Sequence, residues 1–214
     1  VQFAPDGKWL AAGGDEGAAL YDMAGGERLR MLDHGKKRVN AVDVTHEGRF
    51  IATLDDDGAL RLWSMEDGRL LTRIDCVSPT ESLHGSAVRF DPLARRIAAG
   101  FTDGRVMLWQ LNETMTATPL RTIASGTLTV TAIAFSDDGS RLICGSAGQT
   151  VYFWDTQTGA ALGIIATHDG PARTVSFSPD RSRLAVIGDF HVQMYDVATD
   201  HLWTPHGAHS IGSQ

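Results

Sequence analysis

HGKKRVNAVDVTHEGRFIATLDDDGALRLWSMEDGRLLTRID, residues 34–75, contains the pattern from which the fold is inferred. Alternating apolar and polar residues on either side of a turn at 46–48 predict two strands. Asp57-Gly58 lies between two further alternating runs, which is a strong signal for a tight hairpin. The four predicted strands are 39–44, 50–53, 59–63 and 70–74. Together they make one small antiparallel sheet, which needs a neighbour to be stable.

Two markers recur along the whole chain with one period. An aromatic residue closes the third strand of each repeat, at spacings of 42, 46, 45 and 41 residues. An apolar residue ends the first strand of each repeat, at spacings of 41, 46, 45 and 42 residues. The first marker is Tyr21, Trp63, Trp109, Trp154 and Tyr195, and the second is Phe3, Val44, Phe90, Phe135 and Phe177. This shared period indicates five copies of one sheet.

With these repeats the chain resembles the WD-repeat β-propeller family over residues 1 to about 204. The resemblance implies an all-β propeller of four-stranded antiparallel blades, with five repeats present. The predicted blades cover about 1–33, 34–75, 84–123, 127–166 and 168–204, and 205–214 is a tail or the start of a further repeat. The chain begins at an inner strand and finishes after an outer one, so no strand is left to close the ring. We therefore expect an incomplete, open ring from a larger propeller, as a piece of a longer protein.

The resemblance also implies a structural tetrad of polar side chains within a blade. In the second repeat its four positions are matched by His34, Thr53, Asp57 and Trp63. A buried carboxylate, an imidazole, a hydroxyl and an indole N–H can satisfy one another in series. The other repeats keep only parts of the set, namely Asp103, Trp109, Trp154, His168 and Asp189. Blade stability is therefore expected to come mainly from apolar faces packed between neighbours.

Composition restricts the possible classes of function. The net charge of −7 argues against a general nucleic-acid or anionic-membrane binder. No long apolar run occurs, so no membrane insertion is expected. Two cysteines, Cys76 and Cys144, are too few for a disulfide framework. We expect both thiols to be reduced, in a cytoplasmic protein.

The common motifs of catalysis and metal binding are missing from the sequence. The segment that begins at Gly35 lacks the frame of a phosphate-binding loop, and no G-x-S-x-G nucleophile elbow occurs. The consecutive carboxylates at 55–57 lack the alternation of a calcium loop. His201, His206 and His209 lack a fourth zinc ligand. The sequence thus predicts no catalytic residue, no metal and no cofactor.

A non-enzymatic protein-interaction scaffold is the leading functional hypothesis. The resemblance implies that the loops before the first strand and between the second and third strands share one face, which commonly docks proteins. The residues expected there are Lys36, Lys37, Arg38, Asp55, Asp56, Phe101, Ser146 and Phe190, with the loop at 78–86. Rigid loops of mixed charge with occasional aromatics suit an interface. The expected partner is therefore another protein.

Two other hypotheses stand beside it. One places the segment as the sensory or regulatory half of a longer multidomain NTPase or kinase, a fusion familiar among prokaryotic members of the family. The other is an enzyme with its site in the central channel, which requires clustered polar residues or metal ligands on the innermost strands. Those strands, at 41–44, 87–90, 132–135 and 174–177, are mainly apolar or small. The channel enzyme is therefore the less favoured of the two.

Overall fold

The computed structural model describes residues 1–77, 83–124, 126–167, 170–178, 183–189, 191–196 and 205–210. In these residues twenty strands form five antiparallel sheets of four strands each. No helix in the described part of the chain is long and apolar enough to cross a membrane.

The strands follow one another in chain order within every sheet. The first sheet has β1 (Gln2–Phe3), β2 (Trp9–Gly14), β3 (Gly17–Asp22) and β4 (Arg28–Leu32). The second has β5 (Val39–Val44), β6 (Phe50–Asp55), β7 (Ala59–Ser64) and β8 (Leu70–Asp75). The third has β9 (Gly85–Phe90), β10 (Arg96–Phe101), β11 (Arg105–Leu111) and β12 (Ala117–Ala124). The fourth has β13 (Val130–Phe135), β14 (Arg141–Ser146), β15 (Thr150–Asp155) and β16 (Ala161–Ala166). The fifth has β17 (Thr174–Phe177), β18 (Arg183–Ile187), β19 (His191–Asp196) and β20 (Pro205–Ser210).

The first strand of each sheet is the innermost, and successive inner strands pack on one another around an axis. The second sheet packs on the first through β5 and β2, and then β5 packs on β9, β9 on β13 and β13 on β17. The ring does not close between the first and fifth sheets. The predicted all-β propeller with an open ring is confirmed.

Antiparallel order places the turns of every sheet on two opposite faces. We call lower the face that has the turns between first and second strands and between third and fourth strands. The upper face has the turns between second and third strands and the connections to the next sheet. In the second sheet, residues 45–49 and 65–69 lie on the lower face and residues 56–58 on the upper face.

A side-chain oxygen just after the inner strand closes the first lower turn of most sheets. In the second sheet Thr45 Oγ1 accepts the backbone N–H groups of Arg49 and Phe50 at 3.2 and 3.1 Å. The same role is played in the following sheets by Asp91, Ser136 and Ser178. Short side chains with an oxygen acceptor recur here because they can reach nearby backbone amides.

Neighbouring sheets interlock where the second strand of one meets the start of the inner strand of the next. At three junctions a glycine faces a larger residue, in the pairs Gly13–Val39, Gly100–Val130 and Gly145–Ala172. Between the second and third sheets the order is reversed, because Leu54 lies over Gly85. A Cβ on Gly85 would lie 2.6 Å from Leu54 Cδ2, closer than real Cβ contacts. Each junction thus has room for a large side chain from only one of the two sheets.

The inner strands of the second, third and fourth sheets each carry a polar side chain that hydrogen-bonds to the next sheet. Asn40 Nδ2 donates to the Gly85 carbonyl at 2.9 Å, and Ser86 Oγ donates to the Val130 carbonyl at 2.7 Å. Thr131 Oγ1 makes the equivalent bond at the following junction. All three donors lie four residues before the end of their inner strand, so the bond is a repeated feature of the fold.

The first sheet has one uncovered face. Phe3, Leu10 and Tyr21 are cross-strand neighbours in register, and none of them belongs to the core cluster shared with the second sheet. Phe3 is 57% exposed, and Met31 on the outer strand is 41% exposed. An apolar sheet face of this kind is normally covered by a neighbour, which agrees with an open ring.

The outer strand of the fifth sheet differs from its predicted position. Residues 205–210 were expected to be a tail or the start of a further repeat, but Pro205–Ser210 pairs with His191–Asp196 as β20. Residues 197–204, the end of the predicted fifth blade, lie outside the described residues. The error has a physical cause, because outer strands such as Arg28–Leu32 are largely exposed and can mix charged with apolar residues.

Candidate functional site

Three of the four predicted tetrad residues form one buried hydrogen-bond chain in the second sheet. Trp63 Nε1 donates to Thr53 Oγ1 at 2.8 Å. Thr53 Oγ1 lies 2.8 Å from His34 Nε2, and His34 Nδ1 lies 2.8 Å from the Leu32 carbonyl. Because a carbonyl can only accept, Nδ1 must hold the proton, and neutral Nε2 accepts from the Thr53 hydroxyl. Every polar side-chain group of this hydrogen-bond network therefore has a hydrogen-bond partner without a carboxylate.

The fourth predicted member, Asp57, is not part of this chain, and that prediction is wrong. Its side chain is 58% exposed, and its Oδ2 pairs with Lys37 Nζ at 2.8 Å. The Leu32 carbonyl takes the place at His34 Nδ1 that a carboxylate was expected to fill. With that acceptor present, Asp57 is free to turn outward to an ammonium group and to water.

Asp55 is the buried carboxylate of this turn. It was predicted to lie on the docking face, but it is fully buried, so that prediction is also wrong. Asp55 Oδ1 accepts the backbone N–H groups of Asp57 and Ala59 at 3.1 and 2.9 Å. Its Oδ2 pairs with the guanidinium of Arg61, which is 7% exposed. The pair fixes the upper turn from inside the sheet.

Among the residues that the structure describes, the partial tetrads of the other sheets do not form comparable hydrogen-bond networks. Asp103 pairs with Arg105 of its own sheet at 2.5 Å, and Asp189 pairs with Arg173 at 2.7 Å. Trp109 is buried, at 4% exposure. The Trp154 Nε1 hydrogen has no acceptor among the residues that the structure describes. His168 lies outside the described residues.

In the fourth sheet the buried Cys144 stands where the second sheet has Thr53. A thiol is a weak hydrogen-bond acceptor compared with a hydroxyl, so the Trp154 indole lacks the partner that Trp63 has.

Neither Cys144 nor Cys76 is part of a disulfide. Burial raises the pKa of the Cys76 thiol to about 12, which keeps it protonated and unreactive at neutral pH.

Only part of the predicted docking face is at the surface. Phe101 and Ser146 are buried, at 0% and 2% exposure, so the prediction that they contact a partner is wrong. Both close the second strand of their sheets. Phe101 belongs to the core cluster shared with the second sheet, and Ser146 Oγ accepts the Gly148 amide of its own turn. Phe190 and the loop residues 78–82 lie outside the described part of the chain.

The surface that remains is a set of paired charges at the junction of the first and second sheets. Lys37 pairs with Asp57, and Arg38 Nε lies 3.4 Å from Asp15 Oδ1 of the first sheet. Lys36 is exposed with no ion pair shorter than 4.0 Å among the described residues. We call Asp15, Lys36, Lys37, Arg38, Asp56 and Asp57 the upper patch.

The upper patch is held from beneath by hydrogen bonds. Asn40 Nδ2 donates to Asp56 Oδ1 at 2.5 Å, and His84 Nδ1 donates to the Asp56 carbonyl at 2.8 Å. The hydrogen bond from Lys37 to Asp57 raises the pKa of the Lys37 ammonium. Asn40 of the second sheet and His84 at the start of the third therefore hold Asp56, and the Asp56 amide donates to the Arg38 carbonyl at 3.0 Å.

The central channel contains an ion pair that the sequence analysis missed. Arg89 Nη1 donates to Asp43 Oδ1 at 2.7 Å, and the Phe90 amide donates to Asp43 Oδ2 at 2.8 Å. Arg89 Nη1 also lies 3.4 Å from Gln2 Oε1. Burial raises the pKa of the Asp43 carboxyl, and the Arg89 charge opposes this only in part.

These residues occupy one repeated position, immediately before the last residue of each inner strand. The series is Gln2, Asp43, Arg89, Ala134 and Ser176, and all five line a cavity of about 650 Å³ around the axis. Opposite charges at successive members of this series were the signal that could have revealed the pair from sequence. The pair joins the second and third sheets across the channel wall.

Comparison with known proteins agrees with this geometry. A family model described as "WD domain, G-beta repeat" matches residues 26–64 and 117–155. The chain is 30% identical over 168 residues to WD repeat-containing protein SL1-17 of Schistosoma mansoni, over 78% of this chain and 53% of that protein. The chain belongs to the WD-repeat propeller family. Each family match begins in or just before an outer strand and ends with the third strand of the next sheet.

A further curated relative and a solved structure are also similar to the chain. The Target of rapamycin complex subunit wat1 of Schizosaccharomyces pombe is 27% identical over 189 residues, covering 85% of this chain and 58% of that protein. The crystal structure of the Cps50 (Swd1) β-propeller domain of Myceliophteria thermophila superposes with a TM-score of 0.82 at 17% identity. That match covers 97% of this chain and 70% of the other, and it shows the fold alone. The chain thus spans 53% of the Schistosoma mansoni protein and 58% of wat1.

The first prediction concerns the two carboxylates of the upper turn. Asp55→Ala leaves the buried Arg61 guanidinium without its partner, which we expect to cost about 3–5 kcal/mol of unfolding free energy. Asp57→Ala removes one exposed ion pair and should cost less than about 1 kcal/mol. Urea denaturation midpoints of the two variants measure the difference.

A double variant provides the control. Arg61→Met in the Asp55→Ala background removes the unpaired charge, so it should restore part of the lost stability. Equal losses for Asp55→Ala and Asp57→Ala would contradict the assignment of Asp55 as the buried member.

The second prediction is a pH dependence that comes from His34. Burial lowers the pKa of the His34 imidazole below its ordinary value of 6.5, and the bond to the Leu32 carbonyl opposes this only in part. The unfolded chain therefore binds this proton at higher pH than the folded one. Stability from His34 is complete above pH 6.5 and decreases as pH falls through 6.5 towards the lower folded pKa.

Urea unfolding of the wild type and two variants between about pH 7.5 and 5.5 tests this dependence. His34→Gln should lose stability overall and show a shallower decrease on acidification. His46→Gln, at an exposed lower turn, should keep the wild-type decrease. A His34→Gln profile parallel to that of the wild type would contradict the account.

Proposed function

We propose that this WD-repeat segment is a non-enzymatic scaffold of a longer protein that docks partner proteins on the upper patch. The observation that supports it is the exposed cation group Lys36, Lys37 and Arg38, whose backbone is bonded at Arg38 to Asp56, a residue held by Asn40 and His84. A partner therefore meets a surface that requires little ordering on binding, which lowers the entropic cost of association.

The electrostatics of the upper patch favour an acidic segment on the partner. Lys37 and Arg38 are 48% and 61% exposed despite their ion pairs, so both can exchange an internal carboxylate for one on a partner. Lys36 adds a third positive charge. It is exposed, and its backbone φ of 63° is typical of a tight turn. Charges at such a rim act mainly on association rate and on salt dependence.

The central channel supports the non-enzymatic part of the proposal. The Asp43 carboxylate, which is 4% exposed, is occupied on both oxygens by Arg89 and by the Phe90 amide. A carboxylate engaged in this way holds two sheets together and is not available as a general base. The names of relatives also support a scaffold, because wat1 is named as a complex subunit.

The third prediction tests the upper patch by charge reversal. The triple variant Lys36→Glu, Lys37→Glu, Arg38→Glu should reduce the association rate with a captured partner about tenfold at low salt. Asp138→Lys, at an exposed turn of the lower face, is the control and should leave binding unchanged. Affinity capture followed by surface plasmon resonance on the recovered partner measures both.

Thermal melting of each variant separates lost binding from lost folding. The expected result is a small shift for both, because the triple variant loses exposed ion pairs and Asp138→Lys loses hydrogen bonds within its exposed turn. If the lower-face variant loses the partner while the triple variant keeps it, the upper patch is not the docking surface.

A further inference from the structure

A second surface lies on the lower face, in a groove between the first and second sheets. The groove encloses about 470 Å³, and its apolar side chains are Trp9, Phe50 and Met65. Three carboxylates also line it, from Asp6, Glu47 and Glu66. Trp9 and Phe50 are partly exposed. The groove thus combines aromatic faces with an excess of negative charge.

The equivalent groove between the third and fourth sheets is filled by a side chain of the protein itself. Arg96, at the start of β10, reaches across the junction to the fourth sheet. Its Nη1 donates to the Gly139 carbonyl at 2.8 Å and to Thr156 Oγ1 at 2.6 Å. The lower-face groove of this fold therefore accepts a guanidinium group where the chain provides one.

The two grooves correspond residue by residue. Trp9 begins the second strand of the first sheet, as Arg96 does in the third. Gly48 occupies the place of Gly139, since both are positive-φ glycines of the first lower turn. Met65 occupies the place of Thr156, because the amide of each bonds back to the preceding lower turn. The first groove therefore keeps the shape but lacks the guanidinium.

A cation is already tolerated at the edge of this groove. The Arg49 guanidinium lies 5.2 Å from the centroid of the Phe50 ring, and its Nη1 lies 3.7 Å from Glu47 Oε2. Arg49 is largely exposed, at 67%, so it stays at the rim. With three carboxylates against one guanidinium, the groove retains a net negative charge that another cation can balance.

We propose that this groove binds an arginine side chain from a basic, extended segment of a partner protein. The methylene stem would lie on Trp9 and Met65, and the guanidinium would lie between the carboxylates of Glu47 and Glu66. Arginine suits the site better than lysine, because its planar guanidinium stacks on aromatic rings and donates to two acceptors at once. The surface is on the opposite face from the upper patch, so neither proposal depends on the other.

The experiment uses a small probe, acetyl-Gly-Arg-Gly-amide, against the whole chain labelled with ¹⁵N. The readout is the indole resonance of Trp9, assigned by its loss in Trp9→Phe, with the other tryptophan indoles as internal references. Saturable movement of the Trp9 signal alone is the expected result. The lysine peptide should bind more weakly, and the citrulline peptide, which has the shape without the charge, should produce no saturable shift.

Two variants localise the binding. Glu47→Gln with Glu66→Gln should weaken binding of the arginine peptide roughly tenfold, because two partly exposed charge contacts are lost. Glu16→Gln with Glu113→Gln changes the net charge equally at exposed sites away from the groove, and should bind as the wild type does. Thermal melting confirms that each variant is folded.

The proposal is overturned by any of three results. These are equal binding of the citrulline and arginine peptides, unchanged affinity in the Glu47 and Glu66 double variant, or equal movement of all indole signals. Trp9→Arg, followed through the backbone amide signals of Gly48 and Met65, adds an independent check, since it places a guanidinium where Arg96 has one and should abolish peptide binding. If folded Trp9→Arg protein binds the peptide as the wild type does, the groove is not the site.

Discussion

Close contact between neighbouring sheets, at the point where one second strand meets the next inner strand, is the constraint on which the rest of the structure depends. At each of the four junctions one sheet contributes a glycine, and a side chain of the other sheet fills the space beside it. Gly13, Gly100 and Gly145 give way to the following sheet, whereas Leu54 takes the space over Gly85. Packing of this density makes each sheet rely on its neighbours, as expected for repeats that cannot bury their own faces.

Polar networks add local order to this packing and are not repeated in every sheet. The hydrogen-bond chain through His34, Thr53 and Trp63 exists in the second sheet, whereas Trp154 lacks an acceptor among the described residues. The fourth sheet nevertheless has the same four-stranded order. The polar chain is therefore an addition to the fold and not its condition. It joins His34 to the second and third strands, whereas Asp55 and Arg61 fix the upper turn beside the proposed docking surface.

Much of the architecture could be predicted from sequence, because strand period and turn residues are local properties. The predicted strand at 39–44 coincides with Val39–Val44, and the predicted strand at 59–63 lies within Ala59–Ser64. The predictions were wrong where several consecutive residues of one type could each occupy the same structural position. Three consecutive aspartates gave no means to tell that Asp55 is buried and Asp57 exposed. That choice depends on Arg61 and on the Leu32 carbonyl, which only the folded chain brings together.

The candidate surfaces were less predictable, because exposure depends on neighbours that lie about 40 residues away. Phe101 occupies a turn-proximal position that suggested a surface, yet packing against the second sheet buries it completely. The lower-face groove could not be predicted from the sequence, because its lining comes from two sheets that only the folded chain brings together. Its character follows from Trp9 replacing an arginine found two sheets later, a comparison that requires the structural correspondence of the junctions.

The central claim is that complementary side chains at the junctions hold the sheets together, and a double-mutant cycle at Leu54 and Gly85 tests it most directly. Gly85→Ala should lower the free energy of unfolding by about 1–3 kcal/mol. In a Leu54→Ala background the same change should cost at least about 1 kcal/mol less, since the two sites are in contact. Gly163→Ala, where an added Cβ meets nothing within 4 Å, should stay within about 0.5 kcal/mol of the wild type. A Gly85→Ala loss no larger than that of Gly163→Ala, or no coupling with Leu54, would contradict the account.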